Sequence, residues 1–244
     1  MTKKRIIVNG AAGKMGKLAC ASINQDPAFE LIGSLSRANS LRQAIVDTKA
    51  DIVVDLTSAA SVFENSKIII ENNAHPVIGT SGLIDTQIQQ LIAMANAKQL
   101  GGIIVPNFSI AAVLMMRFAA EAAVYLADVE IVEAHHPQKY DAPSGTAMRT
   151  ADMIARARNQ FAPESTEYTT VPNVRGGKYY GINLHSIRIH GVLAQQQVLF
   201  GNIGETLTII HNSIDRTCFM PGLIHCCKKV SQLQTLYYGL ENLL

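Results

Sequence analysis

The chain has 244 residues, 48% of them hydrophobic, enough for one large domain or two modest ones with a sizeable core. Lys and Arg number 21 against 19 Asp and Glu, a net charge of +2, so the field that grips a nucleic-acid backbone is missing and no nucleic-acid partner is expected. Mean hydropathy is only +0.15, and no apolar run approaches the roughly 20 residues of a bilayer span, so no membrane partner is expected either. The basic start MTKKRIIVNG runs into a glycine turn instead of a long apolar stretch, unlike a secretory leader, and the reading is cytoplasmic. Cys20, Cys218, Cys226 and Cys227 form no CxxC pair and fit reduced thiols. With no Trp and 6% aromatics, stacking surfaces are sparse, and a small-molecule pocket is the default expectation.

In chain order, Arg5–Asn9 (RIIVN) reads as a first strand and Lys14–Ile23 as a helix closed by Asp26-Pro27. Strands follow at Phe29–Leu35, Asp51–Leu56, Pro76–Gly79 and Gly102–Val105, with helices over Leu41–Val46, Val62–Asn72 and Ile84–Ala97 between them. Short β-branched runs alternating with helical patterns predict a doubly wound parallel sheet of the Rossmann type. From Pro106 the texture changes. An apolar helix (Ile110–Leu126), a strand (Val129–Ala134) and a helix (Ala147–Arg158) precede a long loop over Asn159–Gly181. Strand candidates Leu184–Ile189, Gln197–Phe200 and Glu205–Ile210 lack helices between them, which predicts a second α+β domain with a mixed or antiparallel sheet. An amphipathic helix, Gly222–Gln232, reads as the last element.

Gly10-Ala-Ala-Gly13-Lys-Met-Gly16 sits between strand and helix, where a dinucleotide pyrophosphate can rest on backbone N–H groups at a positive helix end. An ordinary strand-to-helix turn gives the same string. At the end of the second strand, where an acidic side chain usually holds an unphosphorylated ribose, stand Ser36 and Arg37. Arg37 can pair with a 2′-phosphate, which favours NADPH and leaves NADH possible; it can equally be a solvated loop residue.

The densest polar segment is Glu133-Ala-His135-His136-Pro-Gln-Lys139-Tyr-Asp141-Ala-Pro-Ser144-Gly145-Thr146, leaving a strand and entering a helix. A histidine is suited to protonating a carbanion or enamine at neutral pH, and Lys139 offers a positive partner for a carboxylate. Ser144, Gly145 and Thr146 fall at a helix start, where unsatisfied N–H groups attract an anion, although capping alone explains Ser144 or Thr146. Two anion-holding devices flanking two histidines suit a small dicarboxylate. Adjacent histidines also suggest a metal, but neighbours on a strand point to opposite faces and no other His or Cys lies at zinc spacing, so no metal is expected. His185, His190 and His211 read as surface or packing residues, and Met115, Met116, Met148 and Met153 as core fillers.

Together these segments resemble the 4-hydroxy-tetrahydrodipicolinate (dihydrodipicolinate) reductase family of bacterial lysine biosynthesis. The matching pieces are VNGAAGKMGK, VVDLT, GTSG, PNFSIA, EAHHPQKYDAPSGTA, HSIRIHG and FGNIGETLTIIHNSIDR, in the family's order. The resemblance implies a homotetramer that uses NADPH or NADH to reduce a cyclic imine dicarboxylate. It puts the general acid on His135, with Lys139 as its catalytic neighbour holding it cationic, and substrate contacts on His136, Lys139, Ser144, Gly145 and Thr146. Family cofactor positions fall on Gly13, Lys14, Met15, Gly79, Thr80 and Gly82, with Phe108 near the nicotinamide, and Gly10 of the glycine turn, Arg37 and Asn107 are expected beside them. It also implies a dinucleotide domain of residues 1–106 and 217–244, with residues 107–216 forming a substrate and tetramerisation domain and the two ligands meeting in a cleft between them.

Ser81, Ala111 and Gln195 depart mildly from the family pattern, and the segment from Arg37 to Asp51 is short, which bears on the adenosine pocket. The competing readings are an amino-acid dehydrogenase acting on a monocarboxylate, which has no use for two anion sites, and a non-catalytic nucleotide sensor or scaffold, which needs no complete His/Lys cluster.

Overall fold

A computed structural model of the chain describes residues 2–158 and 169–244. It divides into two compact units, Met1–Ile110 with Arg216–Leu244, and Ala111–Asp215.

The first unit alternates β1 (Lys4–Asn9), α1 (Lys14–Gln25), β2 (Phe29–Leu35), α2 (Leu41–Thr48), β3 (Ile52–Asp55), α3 (Val62–Glu71), β4 (His75–Ile78), α4 (Asp85–Ala97) and β5 (Gly102–Ile104). Strands β1 and β3 are apolar on both faces because both faces are covered: Ile6, Ile7, Val8, Ile52, Val53 and Val54 are fully buried. Leu41 and Ile45 of α2, Val62, Ile69 and Ile70 of α3, and Leu91 and Ala95 of α4 form one core with Ile7, Val53 and Ile78. Strand order is β2-β1-β3-β4-β5 with all pairs parallel, so the winding reverses between β1 and β3. In such sheets the crevice beyond the carboxyl ends of the strands at the reversal is where ligands bind.

Helix α5 (Ile110–Ala122) enters the second unit after its first residue, and β6 (Asp128–His135), α6 (Gly145–Ala157), β7 (Gly177–Tyr179), β8 (Ile182–Arg188), β9 (Ala194–Asn202) and β10 (Glu205–Ser213) follow within it. Its sheet runs β10-β9-β6-β8-β7. Only β6 and β8 are parallel, so the expected mixed sheet is observed. The chain returns to the first unit with α7 (Met220–Lys229), which covers the opposite face of the parallel sheet beside α1, and with β11 (Leu236–Tyr238), parallel to β5.

Two sequence expectations need correction. The helix near Gly222 is not the last element, because β11 follows and makes the parallel sheet six-stranded; a three-residue strand is too short to carry a period. The long loop over Asn159–Gly181 ends in β7. Tyr180 and Gly181, both at positive φ, form a two-residue hairpin turn into β8, while residues 159–168 lie outside the described residues. Among the described residues no helix is long and apolar enough to cross a membrane.

Candidate active site

The turn after β1 is shaped by close backbone approach. Gly10 has φ +87°, and a Cβ there would lie 2.4 Å from the Leu56 carbonyl oxygen at the end of β3. A Cβ on Gly16 would lie 2.2 Å from the Gly10 oxygen, so α1 starts hard against the turn. Gly13 is the N-cap of α1, with no side-chain cap and no acidic residue in the first turn. The amides at Lys14 and Met15 therefore open a helix end whose partial positive charge no local carboxylate offsets. This cradle fits a pyrophosphate, and a chain with a side chain at Gly10 or Gly16 could not form it.

Beside it, Asp55 is fully buried at the end of β3. Its carboxylate accepts from Asn9 Nδ2 (2.9 Å), Asn65 Nδ2 (2.9 Å), Thr57 Oγ1 (2.8 Å) and Thr80 Oγ1 (2.6 Å). One side chain thus ties the ends of β1 and β3 to α3 and to the segment after β4 that carries Gly79, Thr80 and Gly82. Gly79 packs so closely on Phe108 that a Cβ would stand 2.4 Å from the ring, and Gly82 has φ +111° against Ala59. Asn107 Oδ1 accepts from the Ser109 amide at 2.8 Å, shaping the turn that presents Phe108. Arg37 is exposed just past β2, where Asn39 Oδ1 accepts from the Ser36 amide and hydroxyl at 2.8 and 3.1 Å.

In the second unit, strand alternation puts Glu133 and His135 on one face of β6, and the parallel register sets Arg188 of β8 opposite His135. Glu133 is only 1% exposed and its carboxylate is filled on all sides. Oε2 accepts from His135 Nδ1 at 2.5 Å and Arg188 Nη1 at 3.0 Å, and Oε1 from Arg188 Nη2 at 2.9 Å and the Ser144 amide at 3.2 Å. Burial pushes this carboxyl up, but the hydrogen bonds from His135, Arg188 and Ser186 outweigh it and bring it down to about 2. Arg188 also donates to the Asp141 carbonyl (2.6 Å) and the Lys139 carbonyl (3.4 Å), fixing the loop that carries Lys139.

Ser144 is the N-cap of α6, its Oγ accepting from the Ala147 amide at 3.2 Å, and no acidic side chain stands in the first turn. Gly145 is exposed, and a Cβ there would meet nothing within 4 Å. Thr146 is the second residue of the helix. His136 leaves the strand with Nδ1 buried and without a hydrogen-bond partner, a costly state that a ligand acceptor or donor would relieve. Lys139 Nζ is engaged by Asp141 at 2.7 and 2.9 Å, and this bond holds the Asp141 carboxyl below its ordinary range. The partner of His135 is thus the anion Glu133, not Lys139.

The sequence reading passes over Glu133 as a site residue, although its position two before His135 on a strand announces a shared face. It passes over Arg188 and Asp55 too. No local signal gives the β6–β8 register that brings Arg188 in, but a lone acid closing the apolar run DIVVD could have drawn attention to Asp55. Of the other histidines, His185 Nε2 bonds Glu130 at 3.0 Å on the opposite face of the sheet, and no group of three metal-binding side chains forms among the described residues.

Comparison with known proteins matches residues 4–108 to the family described as dihydrodipicolinate reductase, N-terminus, and residues 111–244 to dihydrodipicolinate reductase, C-terminus. A protein from Legionella pneumophila (strain Lens) named 4-hydroxy-tetrahydrodipicolinate reductase is 56% identical over 242 residues, 99% of this chain and 100% of that one. Its namesake from Coxiella burnetii (strain Dugway 5J108-111) is 48% identical over 239 residues, 98% of each. Among solved structures, the dipicolinate-bound dihydrodipicolinate reductase from Paenisporosarcina sp. TG-14 superposes with a TM-score of 0.92 at 40% identity, covering 100% of both chains. The fold is that of a pyridine-nucleotide-dependent reductase.

Proposed function

Because the chain belongs to the dihydrodipicolinate reductase family, we propose that it reduces 4-hydroxy-tetrahydrodipicolinate to tetrahydrodipicolinate in diaminopimelate and lysine synthesis, with His135 as proton donor. The observation that carries this reading is that one buried carboxylate, Glu133, gathers His135, the start of α6 and, through Arg188, the loop of Lys139. Proton donor and two anion sites are thereby mounted on a single support.

The relative from Paenisporosarcina holds dipicolinate, a planar ring with two carboxylates. In this chain one carboxylate would rest on Ser144, Gly145 and Thr146 at the start of α6, and the other on Lys139 once its ammonium leaves or shares Asp141, with His136 Nδ1 gaining a partner. The nucleotide, when bound, supplies a hydride. Gly10, Gly13, Lys14 and Met15 would hold its pyrophosphate, and Gly79, Thr80, Gly82, Asn107 and Phe108 its nicotinamide end. The substrate first loses its C4 hydroxyl and a C5 proton as water, giving a C4=C5 bond conjugated with the imine; hydride addition at C4 then leaves an enamine, and the proton on His135 Nε2 passes to C5, leaving a neutral imidazole with hydrogen on Nδ1.

Residues 1–106 and 217–244 would then be the nucleotide domain and 107–216 the substrate and tetramerisation domain. Arg37, exposed and near Ser36 instead of an acid, favours NADPH over NADH, read out as the lower Michaelis constant. The homotetramer is supported by the outer face of the second sheet, where Ile187 and Ile210 are 45% and 52% exposed. The four free cysteines accord with a cytoplasmic setting.

Calorimetric titration of pyridine-2,6-dicarboxylate into the nucleotide-loaded protein tests the reading. Wild type should bind, and Lys139→Ala should bind about tenfold or more weakly for loss of a charged partner. Equal affinity in the two proteins removes Lys139 from the site.

A further inference from the structure

We propose that Glu133 is the positioning residue for the proton donor, fixing His135 with hydrogen on Nδ1 so that Nε2 is the nitrogen that delivers the proton, and coupling that ring to the start of α6. The inference deepens the reductase reading and rests on it for its kinetic part. Its structural part rests on contacts within one sheet and the helix beside it.

Arg188 makes the arrangement directional. A guanidinium carries only donors, and here it spans both oxygens of Glu133, while the Ser144 amide donates to Oε1. Ser186 donates to the same carboxylate, and His135 Nδ1, meeting this acceptor-only group, can satisfy it only as an N–H donor, in the neutral ring and in the imidazolium alike. The other charged groups around the pair are Lys139 and Asp141 on the loop, bonded to each other. Strand β9 contributes the uncharged Ala194 and Gln196 opposite His135 and Glu133. Ser144 is tied both to Glu133 through its amide and to α6 through its hydroxyl. A shift of the carboxylate would therefore move the acid and one carboxylate site together.

Glu133→Gln keeps the shape and reverses the logic. Arg188 and the Ser144 amide both demand an acceptor, so the amide oxygen turns to them and the amide NH2 turns to His135, which must then accept at Nδ1 and carry its hydrogen on Nε2. In protein labelled with 15N-histidine, the neutral His135 ring should show the Nδ1–H form in wild type and the Nε2–H form in Glu133→Gln. A wild-type ring with hydrogen on Nε2 overturns the proposal whether or not the variant folds, and so does an unchanged form in a folded variant. In turnover, Glu133→Gln should lose about 100-fold or more in kcat, the scale of a general acid, with a much smaller change in KM and unaltered nucleotide affinity. Glu133→Asp, which restores the acceptor-only group, should recover part of that loss. A kcat within about threefold of wild type, or an Asp variant no better than Gln, contradicts the positioning role. Wild type that shows the Nδ1–H form but reduces no substrate would count against the reductase reading alone.

Discussion

At the scale of the residue, a buried carboxylate ringed by donors carries both structure and chemistry. Glu133 falls from its ordinary 4.5 to about 2, so between those values the unfolded chain takes up a proton that the folded chain refuses. Stability is then fully present above pH 4.5 and is lost as pH falls toward 2. The shift corresponds to about 3 kcal/mol. Denaturant unfolding from pH 6 to pH 2 should therefore show wild type losing about 3 kcal/mol more than Glu133→Gln over that span; parallel curves would mean that the bonds of Glu133 do not persist in solution. Period two along β6 makes the Glu133–His135 pairing readable from the chain alone, because residues two apart on a strand share a face. Arg188 is different in kind. It lies on a strand 55 positions further along the chain than Glu133, and only the fold supplies its register.

At the scale of the element, glycines separate packing from ligand approach. Gly10 and Gly16 are required by the backbone itself, since a Cβ at either would meet neighbouring main chain at 2.4 or 2.2 Å. Gly145 opens α6 with empty space around its missing Cβ, so the resting structure gives no steric reason for glycine there. Gly145→Ala should therefore hold or raise the melting temperature, by up to about 1 kcal/mol of stability from the unfolded chain's lost freedom. The new methyl would lie over amides assigned to a substrate carboxylate, and dicarboxylate affinity should fall about tenfold or more, a loss comparable to one charge-assisted hydrogen bond. Stable protein with unchanged affinity would make the helix start a cap and nothing more. The elements of the first unit are legible because a doubly wound sheet writes its alternation locally, each strand and helix closed by its own turn. Strands β7 and β11, each three residues long, are not, because pairing with a neighbour holds them and no periodicity marks them.

At the scale of the whole molecule, the chain builds most of one sheet, leaves it for a mixed sheet, and returns to finish the first with α7 and β11. The return cannot be read from residues 236–238, whose partner β5 lies more than 130 positions earlier. The same separation explains why the site is legible only in pieces: the glycine turn and the His/Lys segment each announce themselves, while the supports under them, Asp55 and the Glu133–Arg188 pair, depend on strand neighbours. Proton delivery by His135 is the step on which turnover depends. Aspartate semialdehyde and pyruvate, condensed enzymatically in the cuvette, would supply the substrate while NADPH oxidation is followed for wild type and His135→Gln, with nucleotide affinity measured alongside. The expected result is a loss of about 100-fold or more in kcat with NADPH binding intact; a variant that turns over at close to the wild-type rate would contradict it.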